Sequence, residues 1–182
     1  MNRPARYAAL SIGLHWLMLA QLVAVYACIE LRELFPKDSD PREALKTWHF
    51  MLGLSVFALV WLRLALRLVW PVPPITPAPA RWQAGLAHLL HLVLYALMLG
   101  LPLAGWLLLS AAGKPIPFFG LELPALVTPD KALTARLKDL HTTAGTAGYF
   151  LIGLHAAAAL FHHYVVRDDT LARILPWVRS RP

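Results

Sequence analysis

The stretch that decides the fold is LHTTAGTAGYFLIGLHAAAALFHHYVV, residues 140–166. It contains no acidic residue, no lysine and no arginine. A membrane-spanning helix needs about 20 mostly apolar residues, because the hydrocarbon core of a bilayer is about 30 Å thick. The stretch therefore predicts a transmembrane helix. Its histidines are the unusual feature, since polar groups inside a membrane are costly.

Three further stretches have the length and apolar composition of spans, so the predicted spans are about 8–30, 47–70, 83–110 and 140–166. Backbone groups in lipid must satisfy their hydrogen bonds within the protein, which favours helices over an open sheet. We predict an all-α fold, an integral membrane four-helix bundle that forms a single membrane domain over residues 1–182.

The composition of the whole chain supports a membrane protein. Hydrophobic residues make up 58% and charged residues 15% of the 182 residues, whereas soluble domains have about 45–50% and about 25%. The composition therefore argues against a soluble globular protein and equally against a disordered chain. In so apolar a chain, the net charge of +7 indicates contact with anionic lipid rather than nucleic acid. We predict the lipid bilayer as partner, no nucleic acid, and no obligatory protein partner.

Four spans place both termini on the same side of the membrane. The terminal side carries nine basic residues: Arg3, Arg6, Arg63, Arg67, Arg81, Arg167, Arg173, Arg179 and Arg181. The opposite side carries eight: Arg32, Lys37, Arg42, Lys46, Lys114, Lys131, Arg136 and Lys138. The counts nearly balance, but the basic residues of the terminal side lie closer to the span ends, where they weigh most. We therefore predict that both termini are cytoplasmic.

Four of the eight histidines fall at matched depths. His141 and His155 lie 14 residues apart on the fourth span, which is about 21 Å along a helix and within about 40° of four full turns. Both therefore face the same side. His49 begins span two at the depth of His141, and His15 lies in span one at the depth of His155.

Two imidazoles at one depth are the axial ligands that a b-type haem takes. We predict two haem b groups, with the inner haem iron bound by His15 and His155 and the outer haem iron by His49 and His141. Covalent c-type attachment is excluded because the chain has one cysteine and no Cys-x-x-Cys-His. A single intramembrane histidine is more often a hydrogen-bonded interior residue; the matched pairs favour ligands.

Small residues accompany the outer pair. Gly53 follows His49 by four residues and Gly145 follows His141 by four, so each glycine lies on the face of its histidine. We predict that both make room for the flat haem. Helix packing alone is the alternative explanation for such glycines.

The other histidines are weaker candidates. His162 and His163 lie near the inner end of span four and are candidates to hydrogen-bond a quinone and pass protons. A position at the lipid–water interface explains them equally well. For His88 and His91, near the inner start of span three, we favour the interface over contact with quinone or haem propionates.

Two arginines, Arg63 and Arg67, lie one turn apart near the inner end of span two. A guanidinium binds carboxylates well, so these residues are predicted partners of the inner haem propionates. Ordinary anchoring of positive charge on the cytoplasmic side explains them at least as well.

The chain resembles the bacterial cytochrome b-561 family of four-helix, di-haem membrane cytochromes. The resemblance covers essentially the whole chain, and its most specific part lies in the fourth span. The residues that carry it are Ile12–Trp16, Thr47–His49, Arg63–Arg67, Trp70–Pro74, Gly85–His91, Leu137–His141 and Gly148–Tyr164.

The resemblance implies two b haems on His15, His49, His141 and His155 and a ubiquinone site on the cytoplasmic side, with His162 as the best quinone contact. The most similar members take electrons from superoxide at the periplasmic face and reduce ubiquinone. It therefore implies an oxidoreductase of the bacterial inner membrane, with superoxide as donor and ubiquinone as acceptor.

Superoxide is a small anion, and three basic residues precede the outer ligand His141: Lys131, Arg136 and Lys138. A local positive field raises the encounter rate with an anion by about 10- to 10³-fold. We predict that these residues steer superoxide. The alternative is that Glu122, Asp130 and Asp139 largely cancel this charge and that the basic residues serve only for solvation.

Two other functions fit part of the pattern. One is a cytochrome b anchor or electron-transfer subunit of a quinone-linked dehydrogenase or hydrogenase, which also uses histidines on a four-helix bundle. The other is a haem-free, metal-binding membrane protein, for instance one that handles zinc. Zinc usually takes tetrahedral ligands at one place, whereas these histidines divide between two depths.

Overall fold

A computed structural model describes residues 6–175 of the chain; Arg3, Arg179 and Arg181, which enter the charge comparison, lie outside the described residues. The predicted four-helix membrane fold is confirmed. The helices are α1 (Ala9–Leu31), α2 (Asp40–Val69), α3 (Arg81–Ala111) and α4 (Lys131–Phe161). All four are long and apolar enough to cross a membrane. The assignment of residues 1–182 to a single domain stays a prediction.

Two of the helices begin well before the predicted spans. α2 starts at Asp40, with a proline in its first turn, where the missing N–H has no intrahelical partner to lose. α4 starts at Lys131 and is capped by Asp130, whose Oδ1 accepts the N–H groups of Ala132 (2.7 Å) and Leu133 (3.0 Å). α2 and α4 therefore both continue beyond their apolar segments.

The end of α4 turns back on the bundle. A π-helical turn, His162–Val166, is followed by Arg167 in the left-handed region, with φ of 62°. The next residues, 168–175, form what we call the C-terminal clasp. Asp169 exchanges two hydrogen bonds with the backbone of Thr76, at 3.0 and 2.9 Å. Trp16 Nε1 donates to the Ile174 carbonyl at 3.1 Å, so the beginning and end of the described chain meet at one end of the bundle, the terminal end.

The opposite end carries a small element that the sequence did not predict. Strands β1 (Ile116–Phe118) and β2 (Leu121–Leu123) form an antiparallel hairpin between α3 and α4. The turn residues, Phe119 and Gly120, both have positive φ, as tight hairpins require. Strands of three residues are too short to show a period-two pattern, which is why an all-α fold was expected. We call this end the hairpin end.

The bundle is an open ring rather than a dense core. α1 packs on α2, α2 on α3 and α3 on α4, but within residues 6–175 no Cα atom of α4 lies within 8 Å of one in α1 or α2. Large apolar side chains point outward, such as Leu68 (89% exposed) and Phe150 (76% exposed). Such exposure suits contact with lipid. A gap is left between α4 and the α1–α2 pair.

The cap of α4 generates a stability prediction. Asp130→Ala removes the acceptor of two backbone N–H groups, so we expect the free energy of unfolding to fall by about 1 kcal/mol. The measurement is denaturant unfolding of the detergent-solubilised protein, followed by far-UV circular dichroism. Asp139→Ala, inside the same helix, serves as control and is not expected to destabilise the protein. Equal stability of Asp130→Ala and the wild type would contradict the capping role.

Candidate functional site

The first histidine pair lies at the hairpin end. The rings of His49 on α2 and His141 on α4 have centroids 6.2 Å apart and planes inclined by 75°. His49 Nδ1 lies 3.0 Å from the Val25 carbonyl. Because a carbonyl only accepts, Nδ1 carries the proton and donates it, which fixes the ring and leaves Nε2 free for a metal. We call this the hairpin-end pair.

The second pair lies at the terminal end. His15 on α1 and His155 on α4 have ring centroids 6.3 Å apart, with planes inclined by 66°. A third imidazole, His91 on α3, has its centroid 5.3 Å from that of His155. His91 is therefore turned into the bundle rather than lying at the interface with its exposed neighbour His88. His15 and His155 form the terminal-end pair.

Both pairs have the spacing that a metal between two imidazoles requires. A metal–imidazole bond is about 2 Å long. Two such bonds, together with the distance from each ligating nitrogen to the centre of its ring, separate the ring centroids by about 6 Å, as observed in both pairs. Each pair also bridges helices whose backbones stay apart, α2 to α4 and α1 to α4. Within the described part of the chain, no group of three or more His, Cys, Asp or Glu side chains is arranged to hold a metal ion alone. The pairs therefore suit a planar macrocycle that supplies the remaining ligands.

Glycines leave space beside the hairpin-end pair. A Cβ atom added to Gly53 or Gly145 would meet nothing within 4 Å, which fits the predicted room for haem, although this role stays a prediction. Gly105 on α3 was not recognised from the sequence. A Cβ there would lie 3.3 Å from Cε1 of His141, whose Nδ1 is buried without a partner. No histidine lies near Gly105 in sequence, so spacing gave no signal for it.

A half-buried guanidinium, that of Arg63, lies between α2 and α3. Arg63 Nε donates to the Tyr95 hydroxyl at 3.2 Å, while its Nη1 is buried and has no partner. An unpaired buried N–H of a charged group is costly, so this atom fits a carboxylate such as a haem propionate. Arg67, one turn further on, is exposed. The propionate role stays a prediction for both residues.

His162 is held by a carboxylate that sequence spacing did not reveal. Its Nδ1 donates to Oδ2 of Asp168 at 2.6 Å, and the Asp168 side chain is fully buried. Oδ1 of Asp168 accepts the Thr170 N–H at 2.9 Å. The left-handed turn at Arg167 brings Asp168 back, and no periodic pattern foretells such a turn. His163 Nδ1 is buried without a partner, and the quinone role of both histidines stays a prediction.

The three basic residues of the predicted anion path lie on the exposed first turns of α4. Lys138 is about 4.5 Å along the axis from His141 and about 60° around the helix from it. Lys131 is about 15 Å away on a similar side, whereas Arg136 lies about 140° around the helix. The structure thus brings Lys138 nearest to the hairpin-end pair and turns Arg136 away from it.

Comparison with known proteins identifies the family. A family model described as prokaryotic cytochrome b561 matches residues 6–177. The chain belongs to the prokaryotic cytochrome b561 family. This cytochrome b561 is therefore a multi-pass membrane haem protein of electron transport, and the family implies b-type haem. The haem-free, metal-binding alternative is wrong, while the predicted resemblance is confirmed.

Full-length relatives support the same assignment. The chain is 40% identical to "Cytochrome b561 homolog 1" of Escherichia coli strain K12, over 94% of this chain and 97% of the relative. It is 39% identical to "Probable superoxide oxidase CybB" of Yersinia pestis, over 96% and 98%. It is 29% identical to "Cytochrome b561 homolog 2" of Escherichia coli strain K12, over 96% and 93%. The similarity thus covers nearly the whole of each protein.

The two pairs generate a prediction about haem content. His141→Ala should remove one haem and spare the other, and His155→Ala should remove the other one, because each variant leaves one complete pair. The measurement is the ratio of haem to polypeptide in the purified protein, with the reduced-minus-oxidised spectrum. His88→Ala is the control and should keep full haem content. Retention of all haem in both ligand variants would refute the assignment.

Asp168 generates a prediction about pH. Burial opposes ionisation, but the hydrogen bonds from His162 and Thr170 outweigh it and hold the pKa of Asp168 below its ordinary value. A carboxyl with a lowered pKa in the folded state stabilises the protein above its ordinary pKa, and this contribution is lost as the pH falls through the lowered value. We expect thermal stability to fall below about pH 4, and this fall to be smaller in Asp168→Asn. An identical dependence of thermal stability on pH in the wild type and in Asp168→Asn would contradict the contribution of the Asp168 carboxylate.

Proposed function

We propose that this cytochrome b561 is a superoxide:ubiquinone oxidoreductase of the bacterial inner membrane. Superoxide is oxidised at the hairpin end, which faces the periplasm, and ubiquinone is reduced at the terminal end, in the cytoplasmic half. The observation that carries the proposal is the pair of imidazole sites, one near each end of the bundle, in a chain 39% identical to a "Probable superoxide oxidase".

Two b haems, the inner on His15 and His155 and the outer on His49 and His141, would supply one-electron carriage when bound. The chain holds the ligands at fixed depths, since His141 and His155 are about 21 Å apart on one helix face. The Val25 carbonyl orients His49, and Gly105 leaves the room that His141 occupies. Both contacts prepare the hairpin-end site.

The overall reaction balances with two superoxide ions for each quinone. Two superoxide ions lose one electron each and leave as two dioxygen molecules. One ubiquinone takes up the two electrons and two protons and leaves as ubiquinol. The donor half-reaction needs no proton, so the hairpin end needs no general base. The acceptor half-reaction needs two protons, and the terminal end holds the titratable pair His162–Asp168.

The hairpin end supplies positive charge for the donor. Lys138 is exposed and lies one turn from His141 on a nearby face of α4, and Lys131 continues that side outward. Charge so placed raises the encounter rate with an anion, and the effect falls with ionic strength. Arg136 contributes to the same field from the far side of the helix.

The terminal end supplies hydrogen-bonding groups for the acceptor. Asp168 accepts the Nδ1–H of His162, so Nε2 is free to take up a proton and then to donate it to a quinone carbonyl. His163, with a buried unpartnered Nδ1, is the second candidate. Arg63 offers a buried N–H without a partner at the same end, for a propionate of the inner haem.

Rapid mixing of the purified, haem-loaded chain with superoxide tests this function. We expect haem reduction well above background and its abolition by superoxide dismutase. Lys138→Gln should lower the second-order rate constant about 2- to 10-fold at low ionic strength, and Arg136→Gln, on the opposite face, should lower it less.

His162→Asn should leave reduction by superoxide intact and slow reoxidation by added ubiquinone.

The outcomes separate the two remaining functions. Absence of reduction by superoxide above background would overturn the proposal and favour an electron-transfer subunit that depends on a partner enzyme. Equal rate constants of haem reduction for Lys138→Gln and the wild type at low ionic strength would refute the steering role of Lys138 but not the proposed function. Normal reoxidation of His162→Asn by ubiquinone would move the acceptor site away from His162.

A further inference from the structure

The Tyr26 side chain on α1 packs against the backbone of α4. Its hydroxyl donates to the Gly145 carbonyl at 2.8 Å. A Cβ atom added to Gly148 would collide with the hydroxyl oxygen, while the ring carbon Cζ lies at an ordinary 3.6 Å. Gly148 is also the buried residue of α4. Only glycine at position 148 therefore accepts the Tyr26 hydroxyl in this place.

The contact lies midway between the two histidine pairs. Gly148 is seven residues from His141 and seven from His155, or about 10.5 Å along the helix from each. Seven residues are within about 20° of two full turns, so Gly148 shares the face of both histidines. The Tyr26 side chain therefore lies on the strip of α4 that joins the two sites.

The neighbouring residue contacts the other ligand-bearing helix. The Val25 carbonyl accepts the Nδ1–H of His49 on α2, and Tyr26 binds α4 one turn beyond His141. Two successive residues of α1 thus hold both helices that carry the hairpin-end pair. α1 supplies no histidine to that pair, so its contribution there is to position the ligands.

A second tyrosine at the same level provides a comparison. The Tyr149 ring packs against that of Tyr26, with centroids 4.1 Å apart and planes inclined by 41°, and its hydroxyl donates to Oε1 of Glu30 at 2.7 Å. Tyr149 therefore carries a hydroxyl of the same chemistry, but that hydroxyl bonds α1 rather than the backbone of α4. Its loss should leave the Gly145 and Gly148 contacts in place.

We infer that Tyr26 is a positioning residue for the outer haem and the side chain that keeps the two haem sites apart. Its hydroxyl ties α4 to α1 beside His141 and so sets the orientation of that ligand. Its ring occupies the space between the two pairs, across the narrow opening between α1 and α4. The inference rests on the proposed function only in that two haems occupy the two pairs.

The test uses Tyr26→Phe, Gly148→Ala and the double variant, each produced with haem supplied in excess. Tyr26→Phe should keep both haems but shift the midpoint potential and low-spin EPR signal of one. A His155→Ala background, in which the outer haem alone remains, identifies which haem has shifted. Gly148→Ala should lose the outer haem. The double variant should regain it, because the added methyl group takes the place of the missing hydroxyl.

Two controls have matched chemistry. Tyr149→Phe removes a hydroxyl at the same depth, and Gly100→Ala adds a methyl group where nothing lies within 4 Å. Neither should alter haem content or potentials. An unshifted outer haem in Tyr26→Phe, or a double variant no better than Gly148→Ala, would overturn the inference. A wild-type chain without haem would instead overturn the proposed function, so the two failures are distinguishable.

Discussion

Polar imidazoles in an apolar bundle need partners, and the architecture follows from that need. Four histidines face each other in two pairs across a gap that the backbones of α1, α2 and α4 leave open. An unsatisfied ring nitrogen in lipid surroundings is costly, so the gap is stable when the pairs share ligation of a bound group. Gly105 fits the same arrangement, because a Cβ atom there would crowd His141. Gly53 and Gly145 are predicted to leave room for the haem.

The sequence predicts those parts of the site that repeat along a helix. His141 and His155 share a face because 14 residues nearly complete four turns, and the structure brings each to the partner expected from depth. Contacts between residues that are far apart in the sequence produce no periodic pattern from which they could be predicted. Asp168 reaches His162 through a left-handed turn, and Gly105 matters only because α3 lies beside His141. The hairpin is too short for its pattern to be recognised.

The two ends of the bundle differ in the groups they offer. At the hairpin end, the exposed residues near His141 include Lys138, a cation with a long flexible side chain that is suited to attracting an anion that reacts without a proton. At the terminal end, His162, Asp168 and Arg63 are buried or half-buried and hydrogen-bonded in fixed positions. That end suits a ligand that must be oriented and protonated. This difference supports the proposed direction of electron transfer, from a donor at the hairpin end to an acceptor at the terminal end.

The bond between Trp16 and Ile174 also bears on the timing of assembly. It joins residues 158 positions apart, so it cannot form until nearly the whole chain has been synthesised. Until then α1 and α4, which carry the terminal-end histidines, have no clasp to join them at that end. A newly made bundle therefore passes through a stage in which the C-terminal clasp, residues 168–175, has not yet joined α1 to the end of α4. That stage offers a bulky prosthetic group a time to enter between these helices.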